Sequence, residues 1–223
     1  MKRVAQIGLA LAMALSWLSC GESPPPFRPE LTKFSEPRAG VLPYFQGQDL
    51  TPYWPEPGSA RPDDLRRPQN FELTTNADTA FGPEELKGRY TLINFFFTRC
   101  PGICPIMTQN IKKFQAKIPD QSNVQLLSIS VTPEYDSPQK LRDFRNRHKI
   151  QQPNWLMLTV TRQTIYTLAR TQFGADVQAA PRTEADLIDF VHTENVYLID
   201  PQGYLRGVYR ARGTGDLDRL LAE

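Results

Sequence analysis

An α/β sandwich, a central sheet covered by helices, is the fold class that the sequence predicts, and three observations predict it. Residues 90–97 form a near-continuous apolar run of the kind that makes a strand buried on both faces. Apolar residues then recur at helical spacing as Ile103, Met107, Ile111, Phe114 and Ile118. Residues 124–131 return to a strand pattern, so strand, helix and strand follow one another as in a parallel pair joined by a crossover helix.

The 223 residues suffice for one well-cored domain with extensions. Lys and Arg number 26 against 24 Asp and Glu, leaving a formal charge of +2, which lacks the basic footprint of a nucleic-acid binder. Residues 1–20 read as an export signal. Lys2 and Arg3 precede an apolar stretch over 4–18, shorter than the roughly 18 to 20 residues that a membrane-spanning helix requires. Leu18-Ser19-Cys20-Gly21 resembles a bacterial lipobox, in which Cys20 becomes the lipidated first residue and anchors the chain to a membrane. An ordinary cleaved signal and a short uncleaved anchor are the alternatives. All three place the domain outside the cytoplasm, and the lipid anchor places it in the bacterial cell envelope, facing the periplasm.

Residues 21–67 form a Pro-rich tether, because Pro24, Pro25, Pro26, Pro29, Pro37, Pro43, Pro52, Pro55, Pro57 and Pro62 oppose long helices and central strands. Two apolar islands, 41–45 and 50–54, are too rich in large side chains for a solvated linker and are expected to pack on the domain or a partner.

The domain is expected over 68–223. Phe71, Leu73 and Phe81 suggest an introductory strand or hairpin, and the strand over 90–97 and the helix that starts at the cysteine pair and is ended by Pro119 follow it. After the strand over 124–131, Ser137 and Pro138 make an N-cap and first position for a helix with Leu141 and Phe144 inward. Residues 155–160 read as a strand and 164–173 as a helix stopped by Gly174. A hairpin over 195–199 and 204–209 turns at 200–203, and a short helix begins at Asp216. With a helix starting at a cysteine pair after a central strand, this order predicts a thioredoxin-like sandwich with extra N-terminal strands and a C-terminal hairpin.

That pair, in Cys100-Pro101-Gly102-Ile103-Cys104-Pro105, carries the chemistry; the one other cysteine is Cys20. On a helix, residues four apart share a face with Cβ atoms about 5 to 6 Å apart, a separation that suits either one small metal ion or a disulfide. Spacing alone leaves both uses open, and an exported pair also allows a plain structural disulfide. A helix start, Arg99, and Pro101 in the first turn are expected to lower the thiol pKa values. Thiolates are soft ligands suited to Cu(I), and two of them with an imidazole make a three-coordinate set that also accepts Cu(II). Only His148 and His192 are available; taken alone, each reads first as an interfacial or loop residue. Met107, by its helical spacing, belongs to the core.

Three stretches together resemble the Sco/SenC family: residues 98–105, residues 130–138 (Ser-Val-Thr-Pro-Glu-Tyr-Asp-Ser-Pro), and His192 ahead of Val196-Tyr197-Leu198-Ile199-Asp200. The resemblance spans residues 71 to about 221. It implies a membrane-tethered, thioredoxin-like copper protein that assists assembly of the binuclear copper centre of cytochrome c oxidase. Cys100, Cys104 and His192 are then the copper ligands, and the oxidase copper subunit or another copper or thiol protein is the partner. The family usually has acidic residues where this chain has Gly102 and Thr132, and commonly histidine where it has Arg99. Thiol-disulfide exchange, with Cys100 and Cys104 as the redox pair that reduces partner cysteines, is the alternative activity. It requires both thiols and no histidine.

Overall fold

The computed structural model describes residues 38–119, 122–175 and 194–223. A two-stranded hairpin opens them, β1 (Tyr44–Gln46) against β2 (Thr51–Tyr53). The main sheet takes β3 (Leu73–Thr75), β4 (Ala80–Phe81), β5 (Tyr90–Phe96), β6 (Val124–Ser130), β7 (Trp155–Thr159), β8 (Asn195–Ile199) and β9 (Leu205–Arg210), in the order β4-β3-β7-β6-β5-β8-β9. The helices are α1 (Ile103–Gln115), α2 (Pro138–Arg147), α3 (Arg162–Thr167) and α4 (Gly215–Ala222). The β5/β6 and β6/β7 pairs are parallel and the outer pairs antiparallel, which is the central sheet with a C-terminal hairpin that the sequence predicts.

Period-two alternation explains why the middle strands are apolar throughout. On β5, Leu92 and Phe96 face a core shared with α1, α2 and α4, while Ile93 and Phe95 face a second core shared with α3. On β8, Val196 and Leu198 join the first core, and Tyr197 and Ile199 join the second. Each central strand is therefore sandwiched between two apolar layers.

The caps follow the sequence. Ser137 Oγ accepts from the Lys140 amide at the start of α2, and Pro138 is its first residue. Thr161 caps α3, two residues earlier than the spacing predicts, and the helix continues as a π-helical turn over Leu168–Gln172 before Gly174 at φ 59°. Helix α1 ends at Gln115, short of Ile118 and Pro119.

The hairpin β1/β2 and a 3-10 helix over Pro83–Leu86 have no counterpart in the sequence reading. Both apolar islands contribute to that hairpin. Tyr44 is buried, the Arg66 amide donates to Phe45 O at 2.7 Å, and the Leu205 amide donates to Arg66 O at 2.9 Å, tying the segment to β9. Residues 41–67, assigned by composition to a tether, thus lie against the domain in the part that is described. The leader over 1–20, with Cys20, lies outside the described residues. Among the described residues, no helix is long and apolar enough to cross a membrane.

Candidate metal centre

Strand β5 delivers the chain to the site. After Phe96 the backbone turns, the Cys100 amide donates to Phe97 O at 3.3 Å, and α1 begins at Ile103 with Gly102 as its N-cap. Cys100 therefore stands in the turn before the helix and Cys104 in its first turn. The expectation that both occupy successive turns of one helix, with Pro101 in the first, is corrected here. The Pro101-Gly102 step keeps its own non-helical path, and Gly102 sits at φ −110° and ψ −105°.

The two thiols nevertheless meet. Both cysteines are free and buried, at 7% and 5% exposure, in the core that also holds Phe96, Met107 and Leu92. The Cys100 thiol is close enough to that of Cys104 to disfavour its ionisation. Met107 is fully buried in the same core and is a packing residue, as its spacing predicts.

Burial reverses the expected acidity at Cys104. Desolvation of the thiolate is the largest effect, the neighbouring Cys100 thiol adds to it, and backbone groups of Phe97 and Cys104 oppose it only in part. The Cys104 thiol is pushed up to about 12. The cation assumed to help is engaged elsewhere, since the Arg99 guanidinium lies 3.6 Å from the centre of the Tyr135 ring.

Of the two histidines only His148 is described, and it forms no metal-holding group with the pair. His192 lies within 176–193, outside them. The chain resumes at Glu194, and β8 pairs antiparallel with β5 with Val196 opposite Asn94, so its first residues stand at the end of β5 that leads to Cys100. The Glu194 carbonyl accepts from the Ala211 amide at 2.7 Å. His148 is the C-cap of α2 and stacks on Phe144 at 4.1 Å between ring centroids. Burial, then Arg147 and Lys112, hold its pKa below the ordinary value. No group of three or more His, Cys, Asp or Glu side chains able to hold a metal ion occurs among the described residues.

One residue of the 130–138 stretch, at this end of the sheet, was given no role by the sequence. Asp136, in the loop between β6 and α2, is fully buried and accepts from the Thr98 amide (3.1 Å), the Thr98 hydroxyl, Ser130 Oγ (2.6 Å) and Thr132 Oγ1 (3.1 Å). Thr132, a position where the family usually has an acid, is a donor in this cluster. Gly102, the other such position, is open: a Cβ built there meets nothing within 4 Å.

Comparison with known proteins bears on family and fold. A solved SCO1/SenC family lipoprotein from Bacillus anthracis superposes with a TM-score of 0.60 at 26% identity, covering 73% of this chain and 96% of its own. BsSco, described with a disulfide switch and as a member of the Sco family of cytochrome c oxidase assembly proteins, gives 0.60 at 27% identity, covering 70% of this chain and 90% of its own. Arabidopsis thaliana ScoI with copper bound gives 0.51 at 25% identity over 68% of this chain and 91% of its own. The family model described as SCO1/SenC matches residues 60–219, so the chain belongs to the SCO1/SenC family and has that family's thioredoxin-like fold.

Proposed function

We propose that this chain is an exported, lipid-anchored copper chaperone that assists maturation of the binuclear copper centre of cytochrome c oxidase. Copper is its cargo, held by Cys100, Cys104 and His192. The observation that carries this reading is the pair of free thiols, both buried in one core at one end of the central sheet. Two sulfurs in such a place suit a soft monovalent ion, which displaces their protons on binding. The copper bound to the Arabidopsis relative, the oxidase assembly role given for BsSco and the lipoprotein from Bacillus anthracis support cargo, target and anchor respectively. The point where the chain returns to β8 supports His192 as third ligand.

Thiol-disulfide exchange is the weaker reading. Its attacking sulfur must be a thiolate, and burial disfavours that form at Cys104.

Anaerobic copper titration of the reduced chain from Gly21 onward, which keeps the packed segment 41–67, tests the proposal. One equivalent is expected to bind. Cys100→Ser and Cys104→Ser are each expected to abolish stoichiometric binding, and His192→Ala to weaken it at least tenfold and alter the Cu(II) spectrum. Unchanged affinity and spectrum in His192→Ala removes that residue from the ligand set; unchanged binding in either serine variant sinks the copper reading.

A further inference from the structure

The Asp136 carboxylate joins two loops at the thiol end of the sheet. One runs from β5 to α1 and contains Thr98 and Cys100; the other runs from β6 to α2 and contains Thr132 and Asp136 itself. The strands beneath are parallel neighbours, with Phe96 opposite Ser130 and the Val131 amide donating to Phe96 O at 2.9 Å. Beyond that last backbone bond the loops separate, and Asp136 supplies what the ladder no longer does. Its Oδ2 accepts from the Thr98 amide, Ser130 and Thr132, while Oδ1 accepts from the Thr98 hydroxyl. Thr98 is thus held through both its backbone and its side chain, two residues before Cys100. The turn that places Cys100 starts at Phe97, so this anchor sits inside the segment that sets where the thiol points.

A fully buried carboxylate costs a great deal to desolvate, and no cation among the described residues pairs with it. Its partners among the described residues are all neutral donors, and a satisfied network of this kind rigidifies what it joins. Groups that hold a reactive constellation within fractions of an ångström are expected one shell behind it.

We infer that Asp136 is the positioning residue of the cysteine pair: by clamping Thr98 against the loop between β6 and α2, it keeps Cys100 within bonding reach of Cys104. The inference deepens the copper reading and rests on it for the metal, but thiol proximity can be measured without any metal. In the equilibrium with glutathione, Cys100 and Cys104 give up two electrons and two protons. One disulfide forms between them while one glutathione disulfide is reduced to two thiols. The equilibrium constant reports how well the thiols are pre-placed.

The experiment measures that constant and Cu(I) affinity by chelator competition in Asp136→Ala, Asp136→Asn, Thr98→Val and Leu205→Ala, with melting temperature as the check on folding. Leu205 is fully buried in the other core and serves as a control for destabilisation away from the thiols. Asp136→Ala is expected to lower both constants at least tenfold and Thr98→Val, which loses only the hydroxyl, at least threefold. Asp136→Asn retains one carbonyl acceptor and can donate to the Thr98 hydroxyl, so it stays within threefold of the parent. Leu205→Ala lowers the melting temperature and leaves both constants within twofold. Folded Asp136→Ala and Thr98→Val with parental constants would overturn the inference, and so would Asp136→Asn falling as far as the alanine variant or Leu205→Ala reproducing the loss. If Asp136→Ala does not fold, Thr98→Val decides. A parent chain that binds no copper sinks the proposed function, while the glutathione equilibrium still judges Asp136.

Discussion

Asp136 and Asp200 are both buried carboxylates in loops of the same sheet, yet they are neutralised in opposite ways and stand at opposite ends. Asp136 follows β6 at the thiol end and is surrounded by one amide and three hydroxyls. Asp200 follows β8 at the far end, accepts from the Gln202 and Tyr204 amides at 3.0 and 2.9 Å, and is paired with the Arg206 guanidinium at 2.9 Å. That guanidinium also donates to the Pro43 and Leu42 carbonyls at 2.8 and 2.7 Å and lies 3.9 Å from the centre of the Tyr44 ring. The cation at the far end makes Asp200 part of a staple that binds residues 42–44 to the domain. The neutral donors at the thiol end join two loops. One carboxylate serves cohesion; the other serves placement.

The largest effect expected is on stability at the far end. Asp200→Ala leaves a mostly buried guanidinium and two hairpin amides without their acceptor, and is expected to cost about 3–5 kcal/mol in denaturant unfolding. Copper affinity of the folded variant should stay at the parental value; a tenfold loss would erase the division between the two ends. Arg206→Met comes next, at about 2 kcal/mol, since the stem still packs while two carbonyl contacts and the stacked cation are lost. Hydrogen exchange should then accelerate across residues 42–46 and not at Thr98, and equal acceleration at both would mean that the staple reaches the site.

The smallest effect comes from Tyr209, whose hydroxyl donates to Glu223. Burial first, then this bond and the Glu223 charge, raise its pKa above the ordinary tyrosine value of about 10. An acid whose folded pKa is raised stabilises the protein fully below its unfolded value and loses that contribution as pH rises toward the folded value. Tyr209→Phe is therefore expected to cost about 1 kcal/mol at pH 7 and to flatten the fall in stability above pH 10. An alkaline limb identical to that of the parent chain would show that another group controls it.

Features with local causes were legible in advance. Residues 90–97 announce a strand buried on both faces because both flanking layers are apolar, and Ser137-Pro138 announces a helix start because the cap and the proline act within one turn. Met107 was placed in the core by spacing alone. The hairpin β1/β2 was hidden because its prolines outweigh local strand propensity, and its support comes from Arg66 and Arg206, which lie far along the chain. The onset of α1 was missed by a few residues because a proline suits a first turn, but Gly102 takes the cap.

By itself the sequence determined which atoms are available: two sulfurs after a central strand, a histidine ahead of another strand, and the alternation that makes the sheet. Only the tertiary structure decided their surroundings. Helix-start polarity acts within one turn and can be read from sequence, whereas desolvation depends on everything packed around a group. That is why Cys104 proved less acidic than its position suggested. The same reason conceals Asp136: its donors come from residues as many as 38 positions away, and only the parallel pairing of β5 with β6 brings them to one carboxylate.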